Sequence, residues 1–520
     1  MPTGTQVSQP VPHAPLLRAR RRAARSLLAH LVPDAQSGGA LFHAPVKSRA
    51  LETALTLHLL QKHDLEPDWR GRLRAHLTAC ARDADAFGQL IAAAVLGQAG
   101  RDAGSELQRV MASVEYASTR KRALLATLLL ELDLVSPEEH AVAPEHFSVR
   151  AHHRFSRLYG AALRLILARK TGADVDGRDD AELLRRSQGA DGSWEEQALI
   201  TLLALLGLGR EHECFAPGIR FLQRIARPDG GIPFIDNQDT WVTSLAASAL
   251  HAAGEIDDGT RRGLALYLAS RQHLNGGWSF ADGVVQTDTD CAGTCTRALI
   301  ELGGERSSWT IDRGNAYFHA LQRADGGYPT YEREEDSEVT MTATVLLAQS
   351  LRARRDPRLV QPGRRAVRFL LERQKSDGRF ERSWSRSESY SVFRAQWALL
   401  EWERLSPGVD LTPARRRSRR FLLENQRADG GWGQTDGVPS DALSTAYALA
   451  ALGVLRRSLA IDPAKLEAGR GYLLSQQAPD TGEITSIPDI AGPRPFVFDT
   501  PLLATIFPLL ALAFVEPSWS

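Results

Sequence analysis

The chain has 520 residues, of which 43% are hydrophobic, so it is long enough for two or three domains with a sizeable buried core. Its 63 basic and 62 acidic residues give a formal net charge of +1, which argues against nucleic acid as a partner because no global positive field would attract a polyanion. The four cysteines show no spacing typical of a metal site, so a reduced protein in the cytoplasm is expected. No apolar run is of membrane-spanning length, while peripheral membrane contact and oligomeric state stay open.

The first 178 residues divide into two parts of different composition. Residues 1–40 are rich in proline and then in arginine, and we expect a flexible basic segment or a lead-in helix there. In residues 41–178, apolar side chains recur three and four positions apart, which is the period of a helix with one buried face. The sequence therefore predicts an all-helical N-terminal domain over residues 41–178.

From residue 179 to residue 520 the chain is organised by a repeat of the form Gln-x-x-Asp-Gly-Gly-aromatic. Six copies are spaced by 49, 50, 52, 52 and 50 residues, a seventh precedes them, and their first residues are Gln188, Gln223, Gln272, Gln322, Gln374, Gln426 and Gln476. Most copies end an amphipathic helix, turn on Asp-Gly or Gly-Gly, and lead into an apolar helix. A repeat of about fifty residues made of two helices predicts an α/α-barrel, a closed ring of helical hairpins.

The second helix of each repeat begins at a residue type that caps helices. The six predicted caps are Asp239, Asp288, Asp336, Ser387, Ser440 and Asp499. Two positions further on, the chain has Trp241, Asp290, Glu338, Ser389, Ala442 and Pro501, so the architecture does not determine this position. If the second helices line the ring, we expect Trp241, Asp290 and Glu338 to lie along one rim of a central cavity. Asp290 is then the candidate for chemistry, since Asp288 is explained as a cap and Cys291 as a small buried residue.

These patterns resemble a known family. The repeats look like the QW motifs of class II terpene cyclases, which include squalene-hopene, oxidosqualene and copalyl-type diphosphate cyclases. Asp288-Thr-Asp290-Cys291 resembles their Asp-x-Asp-Asp motif, with Cys291 replacing the last aspartate, as in the Asp-Cys pair of oxidosqualene cyclases. Trp384-Ser-Arg-Ser-Glu-Ser-Tyr390 is similar to the Trp-x-Arg-Ser-x-x-Tyr segment of bacterial class II diterpene cyclases. The resemblance covers about residues 180–520.

The resemblance implies that an acid protonates a terminal alkene or epoxide of a polyprenyl chain, after which the cation drives ring closure. Asp290 would be this acid, with Asp288 and Cys291 beside it and Glu338 on the next helix. An alkene is a poor base, so the acid has to be neutral at rest. Burial and a second carboxylate raise a carboxyl pKa, whereas a helix N-terminus favours the anion, and the sequence does not decide which effect is larger.

A growing carbocation needs a dry, aromatic lining, because water would quench it. The candidates for this lining are Trp241, Trp384, Tyr390 and Phe498. Arg382 and Arg386 flank Trp384 and are the candidates for holding a diphosphate, because guanidinium groups match phosphate oxygens bidentately. No metal site and no obligatory cofactor are predicted, although Mg²⁺ is compatible with a diphosphate substrate.

Several functions are compatible with these residues. The favoured one is cyclisation of a linear prenyl diphosphate of fifteen or twenty carbons that keeps its diphosphate, since the chain has no Asp-Asp-x-x-Asp cluster to ionise it. A cyclase of a neutral polyprene such as squalene, or of a prenylated aromatic, is the first alternative. A non-catalytic helical toroid that binds a partner is the second. A protein prenyltransferase β-subunit is disfavoured, because its zinc site needs a late histidine and all 14 histidines lie at or before His319.

Overall fold

The structure is a computed structural model that describes residues 13–80, 85–98, 102–112, 119–136, 142, 144–147, 152–172, 177–303, 308–333, 336–406, 408–492 and 496–516. Over these residues it contains 21 α-helices and two short antiparallel β-hairpins. The predicted all-α class, an α/α-barrel with additional N-terminal helices, is confirmed. None of the described helices combines the length and the apolar character that crossing a membrane requires.

The N-terminal region begins with a helix and a hairpin, followed by nine further helices. The lead-in consists of α1 (His13–Leu28), β1 (Leu31–Asp34) and β2 (Gly39–Phe42). The helices that follow are α2 (Ala50–Lys62), α3 (Pro67–Cys80), α4 (Ala86–Val95), α5 (Ala103–Ala112), α6 (Thr119–Glu131), α7 (Arg154–Thr171), α8 (Arg178–Ser187), α9 (Ala198–Leu208) and α10 (Phe215–Ile225). Of the two forms expected for the first forty residues, the described part takes the lead-in helix, and residues 1–12 lie outside the described ranges.

The barrel consists of eleven helices that alternate between an inner and an outer layer. The inner helices are α11 (Asp239–Ala253), α13 (Thr289–Glu301), α15 (Val339–Ala353), α17 (Glu388–Leu405), α19 (Ala442–Leu455) and α21 (Leu503–Phe514). The outer helices are α12 (Asp258–Ser270), α14 (Ser308–Leu321), α16 (Val360–Arg373), α18 (Thr412–Glu424) and α20 (Pro463–Ser475). Each inner helix packs against the next, and α21 packs against α11, so the ring is closed. A small hairpin, β3 (Ile490–Ala491) and β4 (Val497–Phe498), precedes α21.

Two apolar cores divide the molecule. The first is made mainly by residues 46–235, and the second by the lead-in and residues 241–515. The predicted domain boundary at residues 178 and 179 falls at the start of α8, and α8 packs against α7 inside the first core. Packing therefore favours a division near residue 236, with the first two repeat copies on the N-terminal side.

The repeated glutamine and tryptophan fasten neighbouring outer helices together. The Gln272 side-chain amide donates to the carbonyls of Gly276 (2.9 Å) and Thr310 (2.8 Å), which belong to its own turn and to the next outer helix. The Trp278 indole donates to the Leu268 carbonyl at 2.7 Å and is fully buried. Gln426 and Trp432 repeat these contacts with equivalent partners. These aromatic residues have the structural role expected of a side chain that recurs with the turn.

The starts of the inner helices differ from the predicted caps at four of six positions. Asp288 and Ser387 are N-caps as predicted, whereas Gln238, Glu338, Asp441 and Leu502 replace Asp239, Asp336, Ser440 and Asp499. In α13, α15 and α19 an isolated β-bridge joins the turn aromatic to the cap, as between Tyr328 and Glu338. The length of the intervening loop varies, so counting from capping residue types alone gives the wrong register.

Candidate active site

A cavity of about 300 Å³ lies between the two cores, where the inner helices begin. Its barrel wall comes from the first turns of α11, α13, α15, α17 and α21 and from the segment around β3 and β4. Its opposite wall comes from α6, α7 and the segment after the second repeat glutamine. The first residues of helices carry their N–H groups and side chains toward this space, so polar groups meet an otherwise apolar cavity.

Asp290 is held at the barrel wall by hydrogen bonds to both of its carboxyl oxygens. Oδ2 accepts a hydrogen bond from the Trp241 indole nitrogen at 2.8 Å, and Oδ1 accepts one from the Thr344 hydroxyl at 2.9 Å. These donors come from the inner helices on either side, so three neighbouring helices fix one carboxyl group. Asp290 lines the cavity and its side chain is 17% exposed, so the group is positioned and also accessible to a ligand.

A buried cation lies behind this carboxyl group. Arg394 of α17 is 3% exposed, its Nη2 lies 3.6 Å from Asp290 Oδ1, and it also donates to the Thr344 hydroxyl. A positive charge at this distance stabilises the carboxylate form of Asp290. The arginine therefore favours the anion that is left when Asp290 gives up a proton.

Asp288 and Cys291 form the turn below Asp290. Asp288 Oδ1 accepts a hydrogen bond from the Cys291 backbone N–H at 2.7 Å, which is the N-cap contact expected from the sequence. Burial raises the pKa of Asp288 to about 7, and the nearby Asp290 carboxylate adds to this shift. Burial also raises the pKa of the Cys291 thiol well above its usual value. Asp288 therefore binds a proton near neutral pH, with Cys291 as a neutral neighbour.

The four predicted aromatic residues all line the cavity: Trp241, Trp384, Tyr390 and Phe498. The Trp384 indole is anchored by a hydrogen bond to the Thr330 hydroxyl at 3.0 Å. The Tyr390 ring packs edge-on against Tyr447 and Phe507, with ring centroids 4.9 and 6.0 Å away. These faces give the cavity the low polarity and the ring quadrupoles that stabilise a cation.

Glu338 lies in a different place from the one expected. It is the N-cap of α15, so its counterpart on α13 is Asp288 and not Asp290. Its carboxylate accepts hydrogen bonds from the Thr330 hydroxyl at 2.9 Å and from the Ser383 hydroxyl, and it is not among the described residues that line the cavity. Glu338 therefore supports Thr330, which in turn holds Trp384.

The two predicted diphosphate ligands are also separated from the cavity. Arg382 is half-buried and Arg386 is exposed, and neither is among the described residues that form its wall. The cations that do line it are Arg120 and Lys121, on α6 of the first core. Sequence reasoning missed these two residues, because nothing in the local pattern of α6 distinguishes them from a solvated helix face.

Three further wall or contact residues were missed. Arg394 carries a readable signal, since it is the one charged residue in the stretch 392–400 of an inner helix. Tyr447 of α19 and Asp489 before β3 carry none, because their contact depends on segments 42 residues apart folding together. Both residues line the same cavity as Tyr390.

Comparison with known proteins gives a consistent picture. The family model of the prenyltransferase alpha-alpha toroid domain matches residues 216–483. Drimenyl diphosphate synthase from Streptomyces showdoensis is 35% identical, with 98% of this chain and 97% of that protein covered. A second drimenyl diphosphate synthase, from Streptantibioticus cattleyicolor, is 34% identical over 99% of this chain and 98% of its own length.

A solved structure agrees with this fold. The ent-copalyl diphosphate synthase from Streptomyces platensis superposes with a TM-score of 0.61 at 19% identity, over 96% of this chain and 99% of that one. At that identity the likeness bears on the fold alone, and the sequence relatives carry the family assignment. Because relatives above 30% identity match along nearly the entire chain, this protein belongs to the class II terpene cyclases of the prenyltransferase α/α-toroid superfamily and is a terpene cyclase.

Proposed function

We propose that this cyclase acts on a linear prenyl diphosphate of fifteen carbons, protonates its terminal alkene through Asp290, and retains the diphosphate in the product. The chain length is supported by the two full-length relatives, since a drimenyl group is a bicyclic fifteen-carbon skeleton. The observation that carries the proposed mechanism is the Asp290 carboxyl group, held at both oxygens on the wall of a cavity lined by aromatic rings.

The first step is proton transfer to the alkene. Asp288 binds a proton near neutral pH, because burial raises its pKa to about 7, and this proton lies beside Asp290. Asp290 is the acid, since it is the half-buried member of the pair while the Asp288 carboxyl points into its own helix turn. Once the proton has moved to the terminal carbon, Arg394, Thr344 and the Trp241 indole stabilise the new carboxylate.

The second step is ring closure inside the aromatic wall. The cation forms at the former alkene and moves along the chain as each double bond attacks it. Trp384, Tyr390 and Phe498 face this space and exclude water from it. Each favourable cation–ring contact contributes about 0.5–2 kcal/mol.

The diphosphate is proposed to lie beside Arg120 and Lys121, at the end of the cavity formed by the first core. This replaces Arg382 and Arg386, whose positions leave them off the cavity wall. Within the described residues, no three His, Cys, Asp or Glu side chains are grouped so that they could hold a metal ion. Mg²⁺, if it takes part, is therefore proposed to bind as a counter-ion of the diphosphate oxygens.

The test is an incubation of the purified protein with farnesyl and with geranylgeranyl diphosphate, with and without Mg²⁺, followed by enzymatic removal of phosphate and mass spectrometry. We expect a bicyclic fifteen-carbon alcohol from farnesyl diphosphate, and none from the Asp290→Asn variant. Arg120→Ala and Lys121→Ala are expected to raise KM more than they lower kcat. A cyclic product from squalene and none from either diphosphate would contradict the proposed substrate.

A further inference from the structure

A second buried carboxyl group, that of Asp489, lines the cavity. It precedes β3 and is 3% exposed. Tyr390 lies within electrostatic range of both Asp290 and Asp489: burial is the main cause of its raised pKa, and these two carboxyl groups add to the shift. The acid described above and this second carboxyl group are therefore both close to one aromatic ring.

Asp489 is held in one orientation by neutral donors. Oδ2 accepts hydrogen bonds from the Ser385 hydroxyl at 2.7 Å and the Tyr447 hydroxyl at 3.2 Å, and Oδ1 accepts one from the Ser387 backbone N–H at 2.9 Å. Among the residues that the structure describes, no lysine or arginine forms an ion pair with it. Burial raises its pKa to about 6. At neutral pH this side chain is consequently a carboxylate, and it is a stronger base than an exposed aspartate.

We propose that Asp489 is the base that ends the cyclisation, which rests on the proposed function above. Its carboxylate removes a proton from a carbon next to the cationic centre of the cyclised intermediate. The C–H bond breaks, its electron pair becomes the new C=C bond, the cation is neutralised, and the proton forms an O–H bond on Asp489. Asp489 then loses this proton to solvent, and Asp290 takes one up. The overall reaction is an isomerisation with no net change in protons.

The aromatic cluster explains why the proton is removed at this place. Tyr390, Tyr447 and Phe507 pack edge-on around one point, with ring centroids 4.9, 6.0 and 4.8 Å apart. Aromatic rings stabilise a cation that lies over their faces, so this cluster is a favourable place for one in an apolar cavity. Asp489 is hydrogen-bonded to the hydroxyl of Tyr447, so the carboxylate is attached to the group that stabilises the cation.

The other groups on the wall are less suited to this step. Asp290 lies where the terminal alkene is protonated, and ring closure carries the cation away from that end. His153 also lines the cavity, but burial lowers its pKa to about 3, which makes its imidazole a weak base. It stacks on Tyr331 at 4.3 Å, on the wall that also carries Arg120. Asp288 also lines the cavity, but it holds a proton near neutral pH and caps its own helix beside Asp290, so Asp489 is the carboxylate placed at the aromatic cluster.

The experiment compares product ratios, because a merely structural role would change the rate and leave the ratio unchanged. Asp489→Asn keeps one acceptor oxygen for the Ser387 backbone N–H, and its amide NH₂ can donate to the Ser385 hydroxyl, while the base is removed. We expect the variant to consume farnesyl diphosphate about 10- to 100-fold more slowly and to shift its products from the wild-type alkene toward hydroxylated or isomeric alkenes. The control is Asp499→Asn, ten residues on, which pairs with Lys47 and does not line the cavity; its ratio should equal that of the wild type.

An Asp489→Asn variant that is slower but gives the wild-type ratio would overturn the proposal while leaving the proposed function intact. Absence of any cyclic product from the wild type would instead refute the proposed function. If Asp489→Asn does not fold, Tyr447→Phe provides the test. Removing one donor raises the pKa of Asp489, so the pH below which the alkene fraction falls should move upward. An unchanged pH dependence in Tyr447→Phe would then refute Asp489 as the base.

Discussion

The starts of α13 and α19 are built alike, yet only one has the features of a reactive site. In both, a buried tryptophan of the turn bridges to the cap: Trp278 to Asp288, and Trp432 to Asp441. The Asp288 carboxyl group accepts a hydrogen bond from the Cys291 backbone N–H at 2.7 Å. The Asp441 carboxyl group accepts one from the Ser444 backbone N–H at 2.8 Å. Burial raises the pKa of both carboxyl groups.

The difference lies two residues further along. After Asp288 comes Asp290, which reaches the cavity, whereas after Asp441 comes the buried Leu443. A capping aspartate and its raised pKa are therefore properties of the barrel, and they do not by themselves make an acid catalyst. The start of α13 differs from that of α19 by a second carboxyl group, that of Asp290, and by Arg394 behind it.

The largest effect is expected from removing that second carboxyl group. Asp290→Asn keeps the acceptor for the Trp241 indole but cannot donate the initiating proton. Its kcat/KM should fall by about 10³-fold or more, since general acid catalysis alone contributes about 10²–10⁴-fold and the alkene has no other acid. Product formation under saturating substrate is the measurement. Leu443→Ala, the matched change on α19, should retain activity within about tenfold, and equal losses in the two variants would remove the distinction.

The next largest effect is expected to distinguish Asp288 from Asp441, the N-caps of α13 and α19. Asp288→Asn and Asp441→Asn both keep an oxygen that accepts from the helix N–H, so both should stay folded. We expect about a 100-fold loss of kcat for Asp288→Asn, because the proton near Asp290 is no longer shared, and less than a threefold loss for Asp441→Asn. Steady-state kinetics at pH 7 measure this. Similar values for both variants would show that Asp288 acts only as a cap.

A smaller effect is expected at the cation behind Asp290. Arg394→Gln removes the positive charge 3.6 Å from Oδ1 while keeping a donor for Thr344. The carboxylate formed in the first step then loses stabilisation, so kcat should fall by about tenfold. Arg404→Gln, on the same helix and paired with Glu401, is the control and should leave kcat unchanged. An Arg394→Gln variant as active as the wild type would assign that arginine to packing alone.

The smallest effect concerns stability. Because the folded protein holds the Asp288 proton up to about pH 7 and the unfolded chain releases it near pH 4, the buried group makes folding less favourable as the pH rises between these values. Relative to Asp288→Asn, the unfolding free energy of the wild type should fall by up to about 1.4 kcal/mol per pH unit across that window and stay constant above it. Denaturant unfolding at pH 5 and pH 8 measures the difference, and a gap of the opposite sign would contradict the raised pKa.

The sequence predicts the ring and its candidate acid, because both follow from patterns among residues that are close in sequence. The repeat spacing gives the number of hairpins, and Asp290 departs from the pattern at the mouth of a helix. The starts of α15 and α19 are missed because a good capping residue, Asp336 or Ser440, lies just before the actual cap, and a β-bridge to the preceding aromatic turn selects Glu338 and Asp441. Capping preference is a local quantity and contains no information about that bridge.

The remainder of the site depends on contacts between distant segments. Arg394 meets Asp290 across more than a hundred residues, and Arg120 and Lys121 reach the cavity from another core. Arg382 and Arg386 illustrate the converse error. Their closeness in sequence to Trp384 suggests a shared site, but the chain turns here, with Ser383 at a φ of 54°, so a spacing of two residues does not place these side chains on one face. Only the fold shows which of these side chains face the substrate space.

The contact of α21 with α11 also governs when the protein becomes chemically competent. α21 is the last of the described helices to leave the ribosome, and it supplies Leu503 and Phe507 to the cavity wall. It must find a partner about 250 residues upstream, and contacts of such long range form late in folding. Until then the space beside Asp290 is open to water, which would quench any cation formed there. A ring left open at α21 is therefore expected to lack the dry cavity that cyclisation needs.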